Sequence, residues 1–232
     1  MSAGAIDLAR FKQVHAASGT PLTLEQLAVL EGSSDAPIVI DAESAHFLLN
    51  VFWALGLANR NPVLDTGPMV EQSGGQIDVF ASTGGWTVAS LPVTEVYSSA
   101  PIVPLTREQQ ANVEEVAAAI YRPCCDNSTA FPDCNHGMAM LGLLELVAAQ
   151  GATTDEMFEA AKYANAFWFT SQSLELATFF KAVEGSDFTA VDGRRLLGAE
   201  FSSASGFQRV HQQLADRGLL EPTGAAGANC GL

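Results

Sequence analysis

Three cysteines and one histidine fall within thirteen residues of this chain: Cys124, Cys125, Cys134 and His136. Thiolate and imidazole are the donors chosen by soft or borderline metals, including copper(I), zinc(II) and the iron of iron–sulfur clusters. Cys134 and His136 are one residue apart, where the spacing predicts the start of a helix from about 136 to 150. The positive end of such a helix favours thiolate over thiol. Pro123 and Pro132 bracket the loop and stiffen it, so less entropy is lost when its ligands close on an ion. The prediction is a soft-metal site on Cys124, Cys125, Cys134 and His136. Cys230, third from the C-terminus, is a further ligand if the glycine-rich tail folds back over the site.

Among the ions, copper(I) comes first. His136, Met138 and Met140 sit together, and copper(I) accepts imidazole, thiolate and thioether alike. On a helix His136 and Met140 share a face and Met138 points elsewhere; core packing is the alternative use of both methionines. Structural zinc sites usually place two to four residues between paired cysteines. That spacing is absent here, and the side chains of adjacent Cys124 and Cys125 diverge. An iron–sulfur cluster wants four cysteines and would recruit Cys230. The same thiols also allow a redox or disulfide role, with Cys134 pairing to Cys124 or Cys125. Four cysteines are too few for a disulfide scaffold at this length.

Other candidates carry less chemistry. His46, beside Phe47 and near Trp53, reads as a satisfied core histidine, and His15, four residues after Phe11, as a boundary residue. His211 reads as solvated. Ser82-Thr83-Gly84-Gly85 lacks the lysine and spacing of a phosphate loop. Neither the nucleophile-elbow nor the paired-histidine zinc-protease motif occurs, so no catalytic residue is assigned. Phe167-Trp168-Phe169 reads as core rather than as a cofactor surface.

The elements that must hold this site are mostly helical. Thr23, Thr106 and Thr153 each open a capping box with a Gln or Glu three residues on. Helical spacing marks 6–17, 42–57 after Asp41, 106–121, 136–150, 153–170, 173–183, 194–201 and 207–217. The helix after His136 is apolar nearly all round and is therefore central. Residues 62–105, rich in Gly and Pro, read as an irregular insertion, or as one in which 76–81 and 86–91 pair as a short β-hairpin. The fold expected is a mainly α, bundle-like single domain over 1–221, with a flexible Gly/Ala-rich tail at 222–232 carrying Cys230.

Composition supports a large core: 48% of the 232 residues are apolar and 16% charged. A formal charge of −15 argues against a nucleic-acid backbone or an anionic membrane as partner. No run of about 18 apolar residues is present to span a bilayer. The N-terminus lacks the pattern of a signal peptide, so the protein is expected to be cytoplasmic or to have lost a leader.

Tyr121–Ala139, with its Pro-Cys-Cys and Cys-Asn-His-Gly-Met-Ala pieces, resembles a segment of a group of uncharacterised prokaryotic proteins. Phe52–Pro62, Ser82–Trp86 and the terminal Asn229–Leu232 are similar to that group as well, so the likeness covers most of the chain. Members of the group often carry an N-terminal export or membrane-anchor segment. The resemblance thus implies an extracytoplasmic setting, and it implies no activity.

Overall fold

The computed structural model describes residues 3–220. Eight longer helices carry the architecture: α1 Leu8–Ala17, α2 Leu24–Glu31, α3 Ala45–Ala58, α4 Arg107–Ala119, α5 Asn135–Ala149, α6 Thr154–Trp168, α7 Thr170–Glu184 and α8 Ala204–Asp216. The three capping boxes form as the sequence implies, each threonine accepting from the backbone N–H three residues on. Asp41 does not cap α3. Its carboxylate instead accepts from the N–H groups of Glu43 and Ser44, making a turn ahead of the helix.

At the centre α5 lies against α3, the most extensive helix pair in the fold. Two glycines make the approach possible. A Cβ on Gly142 would stand 2.7 Å from the Gly56 nitrogen, and one on Gly56 would stand 2.9 Å from the Gly142 nitrogen. The backbones are in contact where they cross. Trp53, Leu57, Met138, Leu141 and Leu144 fill the core on either side of the crossing, with α4 and α6 packed against it. Mainly helical structure is thus what forms, built on one contiguous core.

The hairpin expected in the insertion does not form. Ile77–Val79 is a single 3-10 turn and Ala81–Gly84 a short helix, with further one-turn helices at Pro62–Asp65 and Val93–Val96. Residues 88–90 do make backbone hydrogen bonds, but to the N-terminal segment. Asp7 N–H donates to the Val88 carbonyl at 2.7 Å and Ser90 N–H to the Gly4 carbonyl at 2.9 Å. With those groups satisfied from elsewhere, the local β-pattern has no pairing left to make. Among the described residues the sole β-pairing noted is an isolated bridge between Asn59 and Ala100.

One charged group sits inside this core. Glu145, in α5, is fully buried. Its Oε1 accepts from Asn61 Nδ2 at 2.5 Å, and its Oε2 has no partner. Burial pushes its pKa up to about 8, against weaker lowering by the Asn61 and Asn59 amides. In the unfolded chain the group has an ordinary carboxylate pKa. Folding therefore favours the protonated form, and stability is lost as pH rises from about 4.5 through about 8. Glu145→Gln keeps a neutral acceptor for Asn61 at every pH. Its stability advantage over the parent should grow across that window, to about 5 kcal/mol above pH 8. Urea melts of both proteins at several pH values measure it, and equal slopes with pH would contradict it.

Candidate metal centre

The cysteine loop leaves α4 after Ile120 and returns at Cys134, the N-cap of α5. Distant parts of the chain hold it. Tyr121 N–H donates to the Leu197 carbonyl and Ala204 N–H to the Cys125 carbonyl, while Ser82 N–H donates to the Asp133 carbonyl. The Asp126 carboxylate accepts from Ser205 N–H at 2.8 Å. Within the loop, Thr129 N–H donates back to Ile120 and Ala130 N–H to Ala117. The adjacent cysteines, expected to diverge, are turned to the same side by this folding.

Their sulfurs meet. The Sγ atoms of Cys124 and Cys125 are 3.4 Å apart, those of Cys124 and Cys134 3.7 Å, and those of Cys125 and Cys134 3.6 Å. All three thiols are free. Three sulfurs on a tetrahedral ion with bonds of about 2.3 Å stand about 3.8 Å apart, so this triangle needs little adjustment to hold one. His136 brings a ring nitrogen within 4.8 Å of the Cys124 and Cys134 sulfurs. Its Nδ1 is buried with no hydrogen-bond partner, an uncommon situation for a polar atom. The Cys/His cluster can hold a metal ion.

Asp133 also lies within reach of Cys125 and Cys134, but its carboxylate is already engaged. Oδ1 accepts from Arg122 Nη2 at 2.7 Å and Oδ2 from Asn127 Nδ2 at 2.9 Å. The nitrogen of His136 is therefore the better fourth donor.

Arg122, which the sequence did not single out, organises the site. Its guanidinium is 1% exposed. Nε donates to Cys134 Sγ at 3.1 Å, and the two terminal nitrogens reach the Asn127 carbonyl and amide oxygens, the Phe131 carbonyl and Asp133. Gly137 makes room for it: a Cβ there would stand 2.7 Å from Arg122 Nη2. The Gly137 N–H meanwhile caps onto Cys134 Sγ at 3.4 Å. Hydrogen bonds from the Cys124 and Cys125 thiols, reinforced by the Arg122 charge, hold Cys134 as thiolate far below the ordinary thiol range. Cys124 moves the other way, raised by its contacts with Cys125 and Cys134 and by burial. Cys125 is lowered by its contact with Cys124 but pushed up overall, to about 12, by Cys134 and burial. Burial brings the His136 pKa down to about 4, leaving the imidazole neutral and able to ligate at physiological pH.

Aromatic walls enclose the imidazole. The Phe169 ring lies 4.3 Å from it, centroid to centroid, and Trp168 6.2 Å away. Part of the patch read as plain core is therefore a wall of the site. Met138 and Met140 are buried in the hydrophobic core. Cys230 lies outside the described residues.

The remaining histidines differ from expectation. His15 is fully buried rather than at a boundary, its Nε2 3.4 Å from Asn50 Nδ2. Helix α1 docks by that face, with Phe11 beside it. His46 is exposed rather than core, because α3 starts at Ala45 and the ring sits at its open end. His211 is partly exposed and paired with Glu175 at 2.8 Å. Comparison of the chain with protein-family models, curated proteins and solved structures found no match. No helix among the described residues is long and apolar enough to cross a membrane.

Proposed function

We propose that this is a soft-metal-binding protein that holds one ion on Cys124, Cys125, Cys134 and His136. The observation that carries the reading is the convergence of three sulfurs, each within 3.7 Å of the others, beside an imidazole with an orphaned buried nitrogen. Zinc(II) is the ion we favour. Three thiolates, Arg122 and Asp133 together carry −3, and a dication leaves less uncompensated charge in a buried place than a monocation. The donor set, three cysteines and a histidine, is one that zinc takes in structural sites.

Copper(I), which the adjacent methionines first suggested, is the second reading. With Met138 and Met140 in the core, it rests on the sulfur triangle alone, which suits a three-coordinate thiolate ion. An iron–sulfur cluster would need Cys230 as its fourth cysteine. A thiol–disulfide role uses the same close sulfurs without an ion. The resemblance to an extracytoplasmic group adds that the protein acts outside the cytoplasm. We assign it no catalytic step.

Elemental analysis and an absorption spectrum on one anaerobic preparation test these readings. Zinc at about one ion per chain, with the visible absorption of tetrahedral thiolate after cobalt(II) replacement, supports the first. Copper at the same ratio supports the second, and a brown protein the cluster. A chain that takes up no ion after reduction and reconstitution sinks the proposal.

Proton release provides a further expected result. At neutral pH the Cys124 and Cys125 thiols hold protons while Cys134 and His136 do not. Ion binding should then expel about two protons, and affinity should rise about a hundredfold per pH unit near neutrality. Calorimetry in buffers of different ionisation enthalpy counts those protons; a count near zero would show that the thiols were already ionised.

A further inference from the structure

Resting on the reading of Cys124, Cys125, Cys134 and His136 as the metal site, we propose that ions reach and leave it through the cavity between α3 and α6. His46 is the first protein ligand they meet.

The ligands are not equally open to solvent. Arg122 closes the side of Cys134 with a buried cation, in contact with the sulfur at 3.1 Å and tucked beneath Gly137. An approaching metal ion is repelled there as well as blocked. Phe169 packs against the imidazole ring of His136. A cavity of about 240 Å³ opens beside the ring and is lined by His46, Leu49, Asn135, His136, Phe167 and Trp168, with two alanines. Since each liquid water takes about 30 Å³, that volume admits an ion with much of its hydration shell.

The chemistry of the lining is selective. Among the described residues no carboxylate or thiol lines this space, and beyond His136 their only imidazole in it is that of His46. His46 is exposed, whereas His136 is 5% exposed. The cavity therefore places one solvent-facing imidazole in the same space as the buried imidazole of the donor set. An ion shedding water needs replacement ligands at each step, and imidazole suits zinc and copper alike. His46 offers the first exchange, His136 the second, and the sulfur triangle completes coordination. Approach over the half-buried Cys124 and Cys125 is the competing route, and it does not involve His46.

The test uses the full chain, reduced and metal-free. Zinc(II) chloride is mixed in a stopped-flow instrument with a fluorescent zinc indicator present, and the loaded protein is then stripped with excess EDTA. His46→Ala and His46→Gln should each slow loading and stripping by the same factor, about tenfold, because both directions cross the same barrier. Unchanged rates in both variants overturn the proposal in favour of approach over the cysteines. Slowing or acceleration of stripping alone also overturns it, since His46 would then be part of the resting site. A parent protein that binds no zinc at equilibrium fails the metal-site reading itself, a result distinct from a fully loaded protein with unaltered kinetics.

Discussion

Cys134→Ser should weaken metal binding about a thousandfold while leaving the fold intact. Cys134 belongs to both groupings of potential ligands in the loop, and its sulfur lies within 3.7 Å of each of the other two. It is also the sulfur that Arg122 and the Gly137 N–H hold in place as thiolate. Losing one of four ligands from a site of this kind costs about 4 kcal/mol, roughly a thousandfold in affinity. Serine is a good choice because its hydroxyl is a preferred N-cap. The cap on α5, which the cysteine sulfur now provides, is retained. Competition titration against a chromophoric chelator reads the affinity, and far-UV circular dichroism reads the helices. A variant that keeps the parent's affinity would remove Cys134 from the ligand set and leave the sulfur triangle without a purpose.

The second large effect lies away from the site, at Gly142. Alanine there should lower stability by about 3 kcal/mol, and leucine should prevent folding. The added carbon would meet the Phe52 carbonyl and the Gly56 backbone of α3. Those atoms belong to a helix, so no side-chain rotation relieves the clash and the two helices must part. Parting them opens a core containing Trp53, Leu57 and Leu141. Because α5 begins at the metal ligands, Gly142→Ala should also weaken metal affinity in the folded fraction, where a remote core change ordinarily would not. Urea denaturation gives the stability and chelator competition the affinity. A denaturation midpoint equal to the parent's would mean that the helices do not cross at backbone contact.

The sequence alone was informative wherever the interactions are local. Thr23, Thr106 and Thr153 announced helix starts because a capping box is closed within four residues. The apolar run after His136 announced a central helix because burial on all sides leaves no polar stripe. The candidate donors were legible by type and spacing, three thiols and an imidazole within thirteen residues. Tertiary structure decided what depends on partners far along the chain. Whether adjacent cysteines diverge or converge was set by Leu197, Ala204 and Ser205 gripping the loop. Residues 88–90 paired with residues 4–7 instead of with their neighbours, and no local pattern encodes that choice. Arg122 became the partner of Cys134, and Phe169 the wall of His136, only when the loop, α5 and the end of α6 met. Glu145 is the lone charge of an apolar helix, and only packing put it out of reach of water. Capping and periodicity act over one helical turn. The shape of a metal site is a sum of contacts from many turns, and those contacts exist only once the chain has folded.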